Sequence, residues 1–447
     1  MSNWAFVCLS EILTESKIID NCPDPDRKIR VKLNCNGVEK RPLMSEKEGA
    51  TKNYVRKSGQ FIYGKQNFHK GAFGVIPTEL DGFSSSGDLP AFDVDSRCLP
   101  EWIYYWFKTD NRYLQLAKHA KGVGSQRVNV DSFLKEEIAL PSLNLQAKII
   151  GNINNSSFTL KSLSVESQNQ SSYLTKLRQA ILQEAIEGKL TVDWRKENPV
   201  RKGDPDYDSE ALLVKIQAEK EKLIKKGKIK KQKPLAPIKA EEVPFELPVG
   251  WVWTRLGEIS EGFQYGSSVK SLKDGKVPVL RMGNIQDGKI DWNGLVYTNN
   301  KNEIEQYVLK KGDLLFNRTN SRELVGKTAV FDGLRDAIFA GYLVRFSPLA
   351  MCSSEYFNFI MNSTLHREWC KQNKTDAIGQ SNINATKLRD FLFPLAPLAE
   401  QQAIVDHIEK LLTMVDELEK QVSERKEQSE QLMQAVLREA FEGGNHA

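Results

Sequence analysis

Two stretches of the chain carry apolar residues at alternating spacings of three and four. The first is Ile149, Ile153, Leu160, Leu163, Leu174, Leu177 and Ile181. The second is Ile404, Ile408, Leu411, Val415, Leu418, Val422, Leu432 and Val436. This alternation returns one helix face every seven residues, so both stretches predict long helices with a coiled-coil seam. Each follows a proline (Pro141, Pro397) and runs to glycine (Gly188; Gly443 with Gly444), the usual stop. The seam turns polar at Ser167 and Gln170 in the first helix and at Arg425 and Ser429 in the second. Polar seam positions cost stability but pin the register between two helices.

The two helices belong to a longer repeat. At an offset of 255 residues, with no gap, Gly124 meets Gly379, Asn129 meets Asn384, Leu143 meets Leu398, and Gln146 meets Gln401. The register still holds where LRQAILQEAIEG (177–188) faces LMQAVLREAFEG (432–443). Upstream, with small shifts, WAFVCLSEI (4–12) resembles WVWTRLGEI (251–259), VRKSGQFIYGK (55–65) resembles VLKKGDLLFNR (308–318), and CLPEWIYYW (98–106) resembles CSSEYFNFI (352–360). The chain is two copies of one plan: a mixed domain, then a long helix. If a pseudo-twofold axis relates the copies, the helices pair antiparallel.

Between the copies the composition changes. SEALLVKIQAEKEKLIKK (209–226) is amphipathic, and the 220–233 stretch holds eight lysines against one glutamate. Pro234 and Pro237 predict an extended tether, and the lysines a solvated face able to touch phosphates. Over the whole chain of 447 residues the net charge is only +5, so a polyanion partner is permitted without being demanded. No stretch reaches about 18 apolar residues, the length of a membrane span. The opening MSNWAFVCLSEIL lacks the basic start and cleavage site of a signal peptide, so a cytoplasmic location is expected.

Catalytic chemistry finds no footing. The six cysteines and five histidines are scattered, without metal-ligand spacing. DPDY (204–207) only superficially matches the amino-methyltransferase pattern, with Asp206 at its third position and no glycine-rich cofactor loop before it. VGKT (325–328) lacks the glycine that a phosphate-binding loop needs, since Ser321 stands there. The expectation is a protein without catalysis, metal or bound cofactor. A methyltransferase acting alone would need the missing motifs, and a coiled-coil scaffold would not need polar loops at matching places in both copies.

LPVGWVWTRLGEI, VPVLRMGNIQDGKID, KKGDLLFNRTNSRELVGKTAVF, IGQSNINATKLRDFLFPLAPLAEQQAIVDHIEKLL and QAVLREAFEGG, in that order, resemble the specificity subunits of type I restriction-modification systems. LTVDWRKENP after the first helix does so too. The first domain departs most, lacking the LPxGW opening and carrying Asn144-Leu145-Gln146 opposite Ala399-Glu400-Gln401. The resemblance implies an α+β fold: two mixed target-recognition domains related by pseudo-twofold symmetry, separated by an antiparallel coiled coil. The expected segments are 1–141 (first recognition domain), 142–190 (first spacer helix), 191–246 (linker with a short basic helix), 247–396 (second recognition domain) and 397–447 (second spacer helix). It implies DNA binding to a bipartite double-stranded target, with the helices setting the gap. From Ile149 to Ile181 the seam is roughly 48 Å at about 1.5 Å per residue, or about fourteen base pairs at ~3.4 Å each. It further implies two methyltransferase subunits carrying S-adenosylmethionine and two restriction subunits carrying ATP and magnesium as partners.

Base edges are read by Arg, Lys, Asn, Gln or Ser on loops that reach a groove. In the second copy the candidates are Asn317, Arg318, Asn320, Ser321 and Arg322 after the apolar DLLF, with Asn284, Gln380, Ser381 and Asn382. In the first copy they are Lys65, Gln66, Asn67, His69 and Lys70, with Ser125, Gln126 and Arg127.

Overall fold

The computed structural model of the chain describes residues 4–42, 52–118, 127–349, 351–377 and 379–442. The fold is α+β. Contacts divide it into two units, 1–170 with 421–447 and 171–420. Both divisions fall inside long helices, α1 (Leu143–Ile186) and α2 (Leu398–Glu442). Each unit therefore joins one mixed domain to a part of each helix, where the sequence had placed the helices in segments of their own.

The repeat in sequence is a repeat in topology. The first unit has a four-stranded antiparallel sheet in the order Leu13–Ser16, Ala91–Val94, Phe61–Tyr63, Phe73–Val75. The second has Ser260–Tyr265, Leu343–Pro348, Leu314–Asn317, Thr328–Val330 in the same arrangement. In each, a strand from the start of the domain pairs with the last one: Ala5–Cys8 with Glu137–Leu140, and Val252–Arg255 with Leu392–Leu395. Aromatic residues fill both cores. Phe61, Phe68, Phe73, Phe92 and Phe133 are fully buried in the first, and Phe357 meets Phe393 at 4.3 Å in the second. Each such side chain contributes roughly 1.5–3 kcal/mol on burial.

A buried glutamine ties the first turn of each long helix to its domain. Gln146 accepts from the Leu99 amide (2.8 Å) and donates to the Pro141 carbonyl (2.8 Å). Gln401 accepts from Ser353 (3.1 Å) and donates to Ala396 (2.8 Å). The start of α2 has further anchors. Buried Glu400 accepts from Thr191 Oγ1 and Trp251 Nε1, both at 2.7 Å, and pairs with Arg195. The carbonyls of Pro205 and Asp206 receive the Leu398 and Ala399 amides at 3.2 Å. The DPDY stretch is thus a helix cap. After α1, Gly188 takes φ +68°, and a Cβ there would lie 2.5 Å from Pro248.

Within the first unit α1 and α2 run antiparallel. Ile149 and Ile153 cluster with Leu437 and Phe441, while residues 160–170 line a groove with residues 425–432. Within the second unit Arg178 reaches Asp416 (2.5 Å) and Glu419 (2.9 Å) across the pair. Ile149, Ile153, Leu160, Leu174, Ile181, Ile404, Ile408 and Val415 are buried as expected, and Leu411, Val422 and Val436 partly so. Leu163, Leu177, Leu418 and Leu432 are not: they are 44–54% exposed. Their neighbours Ser164, Arg178, Glu419 and Met433 are partly buried, while Leu163 and Leu432 still line the groove between the helices. The expected weak points do meet, since Ser167, Gln170, Arg425 and Ser429 line that one groove.

The middle segment is a strap on the second unit. Leu212 and Ile216 of the helix Ser209–Lys225 are fully buried, and Lys220 donates to the Gly257 carbonyl. Further on, Arg255 donates to Ala236 (2.8 Å), and Arg389 to Lys233 (2.8 Å). The tether expected there is held by backbone carbonyls. Lys222, Lys225, Lys226, Lys228, Lys230, Lys231 and Lys233 remain exposed.

One buried histidine makes stability pH-dependent. His366 is 1% exposed between Phe316, Trp369 and Phe391, and burial lowers its pKa from 6.5 to about 3. The unfolded chain thus binds more protons between those values, so stability falls as pH drops below about 6.5. The expected slope is about 1.4 kcal/mol per pH unit. Denaturation of wild type and His366→Phe at pH 6.5 and 5 checks this, because the variant should lose about 2 kcal/mol less.

Candidate nucleic-acid interface

In the second domain the strand Leu314–Asn317 delivers Arg318 to the sheet edge. The Arg318 amide donates to the Tyr342 carbonyl (3.0 Å), and its own carbonyl accepts from Ile383 (2.9 Å). Its guanidinium lies 4.8 Å over the Tyr265 ring and donates to Gly341 (3.4 Å) and to Asn382 Oδ1 (3.3 Å). Just beyond, Thr319–Asn320, Gln380–Asn382 and Thr375–Ala377 form a three-stranded ribbon. The two polar segments picked out in this copy, NRTNSRE and GQSNIN, are therefore one surface.

The ribbon is braced by charge. Asp376 accepts from Ser381 Oγ (2.5 Å) and faces Arg322 (3.4 Å) and Lys374 (3.7 Å). The Ser381 hydroxyl first, and the two cations after it, hold its carboxyl below the usual range. Arg322 and Gln380 are exposed, Asn320 and Ser321 half-buried.

Three expected base readers lie inside instead. Asn284 is buried, accepting from the Arg281 amide and donating to the Asp291 and Asn293 carbonyls. Its amide shapes a turn. Asn317 is fully buried, with neither amide atom partnered among the described residues. Ser381 is fully buried against Asp376. In these positions none of the three presents its side chain to a groove.

Beside the ribbon lies a crevice of about 650 Å³ whose walls include residues 267–271, Arg281, Arg318, Tyr342 and Asn382. Tyr342 is 50% exposed, and Arg281 and Lys270 are exposed. Sequence reasoning missed Tyr342, because nothing in GYLVRF marks a turn that meets Arg318 through the backbone.

In the first domain Lys65 lies two residues beyond the matching strand and donates from Nζ to the Gly87 carbonyl (2.7 Å). Arg127 pairs with exposed Asp88. Gln66, Asn67 and Lys70 are exposed, and His69 is half-buried with Nδ1 unpartnered among the described residues. Ser125 and Gln126 lie outside the described residues.

Residues 248–428 match the family model described as "Type I restriction modification DNA specificity domain". That match takes in less than half of the chain. Similar curated proteins are the specificity subunits of the type I restriction enzymes EcoAI (34% identical over 257 residues) and EcoEI (30% over 274), both from Escherichia coli. These alignments take in 54% and 59% of this chain but 40% and 44% of the relatives, so the chain spans less than half of their length. A chain solved in work on complex assembly and conformational transition of the type I R-M system matches at a TM-score of 0.61. It is 18% identical, covering 99% of this chain and 98% of that one. At that identity the likeness is one of fold. Among the described residues no helix is long and apolar enough to cross a membrane.

The crevice of the specificity domain depends on a close backbone approach. A Cβ at Gly266 would lie 2.3 Å from the Phe339 carbonyl oxygen and 2.5 Å from that of Ala340. Gly266→Ala should therefore push the 267–271 wall outward and destabilise the domain by about 1–3 kcal/mol. Chemical denaturation of the two proteins measures the difference.

Proposed function

We propose that the chain is a DNA-reading specificity subunit of a type I restriction-modification complex. In this reading each mixed domain reads one half of a bipartite duplex target. One observation carries it: the polypeptide builds the same sheet frame twice, and the second copy lies in a segment of the DNA specificity domain family. In both copies a cation, Lys65 or Arg318, follows the third strand of the sheet within two residues, beside further polar side chains. Such groups suit base edges and phosphates. The exposed lysines of the strap add phosphate contacts, which release counterions and make affinity fall with salt.

The same reading assigns the chemistry to partners. Two methyltransferase subunits bring S-adenosylmethionine, two restriction subunits bring ATP and magnesium, and this chain supplies the address. Its setting is the cytoplasm. Calorimetry of the isolated chain with S-adenosylmethionine should show no stoichiometric binding; a saturating isotherm would return the methyltransferase-alone reading.

The paired helices set the gap between half-sites. A seven-residue insertion keeps the heptad phase and adds about 10 Å at ~1.5 Å per residue, close to three base pairs. It is made in both helices, after Leu163 and after Leu418, since lengthening one alone leaves a seam unmatched. Selection from duplexes with randomised spacers should then return a gap about three base pairs longer. A doubly lengthened protein that folds, binds and keeps the original gap would exclude the helices as the ruler.

A further inference from the structure

The two domains share more than a sheet order. In the first, the Lys65 amide donates to the Asp88 carbonyl (3.0 Å) and the Val128 amide to the Lys65 carbonyl (2.9 Å). In the second, Arg318 donates to Tyr342 (3.0 Å) and Ile383 to Arg318 (2.9 Å). The cation at the strand end then reaches the carbonyl just before the turn residue, Gly87 in one domain and Gly341 in the other. These bonds superimpose three positions: 65, 88 and 127 on 318, 342 and 382. The frame is one; the side chains on it are Lys, Asp, Arg in the first domain and Arg, Tyr, Asn in the second.

Resting on the DNA-reading function proposed above, we propose that these three positions determine which bases each domain reads. Asp88 and Tyr342 are exposed on their turns, and Arg127 and Asn382 flank them. Asn382 has its amide orientation fixed: Oδ1 accepts from Arg318, and Nδ2 donates to Thr319 Oγ1 at 2.9 Å. That leaves one lone pair and one N–H, the pair that matches adenine N6 and N7 in the major groove. Arg318 is then a positioning residue, holding Asn382 from behind. In the first domain Arg127 spends one donor group on Asp88 and keeps the rest of its fork, which fits guanine O6 and N7. Asp88 fits the cytosine amino group. The first half of the target is therefore read through a G·C pair at this place, and the second through an A·T pair. Each side chain is already oriented within its own domain, which reduces the ordering cost on binding.

The test uses the full chain and selection from randomised duplex DNA. Wild type should enrich a two-part motif. Asn382→Ala should relax one A·T position in one half, with discrimination there falling about ten-fold or more, and leave the other half unchanged. Arg127→Ala should relax one G·C position in the opposite half by a similar factor. Asp88→Asn and Tyr342→Ala, at exposed positions, serve as second variants if either alanine protein fails to fold, and each should alter only its own half. Unchanged motifs in folded variants, or a uniform loss across all sequences, would overturn the proposal while leaving the DNA-reading function standing. A wild-type chain that enriches no motif would overturn both.

Discussion

The orientation of each long helix depends on a side-chain amide at its first turn. Gln146 and Gln401 each satisfy one amide and one carbonyl of the domain that the helix leaves. A buried amide with both ends engaged resists tilting, because any rotation leaves a backbone group and an amide group unpaired, at roughly 1–3 kcal/mol each. The helix is thereby an extension of its domain rather than an arm on a hinge. At α2 the lock is doubled by Glu400, on which Thr191 and Arg195 converge from one segment and Trp251 from another. Removing one partner of such a buried charge typically costs 3–5 kcal/mol.

A fixed departure explains how the seam can be so polar. Ser157, Ser164, Ser167 and Arg178 occupy buried or partly buried places on α1, and Glu419 does on α2. These residues add little apolar burial, so the pair draws its stability from its ends, where Ile149, Ile153, Leu437 and Phe441 join an aromatic core. They do limit register: a slip of one heptad would take Arg178 away from Asp416 and Glu419. Helix existence and period were legible in the sequence because 3–4 spacing survives a few substitutions. The phase was not fully legible at Leu163, Leu177, Leu418 and Leu432. There a half-exposed apolar residue sits beside a more buried Ser, Arg, Glu or Met, and hydropathy alone does not rank the two.

The candidate site was legible in its location and illegible in its members. An apolar strand breaking into NRTNSRE marks a strand end, and the repeat carries the same place to Lys65 in the first domain. Asn284, Asn317 and Ser381 look like readers by residue type, yet each faces inward. Asn284 turns inward onto two carbonyls and Ser381 onto a carboxylate, groups that the position of one polar residue in the sequence does not reveal. The strap is legible only in part, for a similar reason. Its lysines and prolines describe a solvated tether, but the arginines that seize its carbonyls, Arg255 and Arg389, are remote in sequence.

The bonds that define the shared frame at the strand end are almost all backbone to backbone, and the one side-chain member is a cation bound to a carbonyl. The frame is therefore indifferent to the side chains on the turn at 88 or 342. Substitution at 88 or 342 changes which hydrogen-bonding groups face outward without removing one of these backbone bonds, whereas the Asn382 side chain also ties Thr319 and Arg318. Exposed positions away from core and caps typically shift stability within about 0.5 kcal/mol, while a lost bidentate contact changes base preference by about 1–3 kcal/mol. On the proposed function, base preference at positions 88 and 342 is thus more sensitive than folding to the same substitutions, and one sheet frame can appear twice in a chain with different side chains on it.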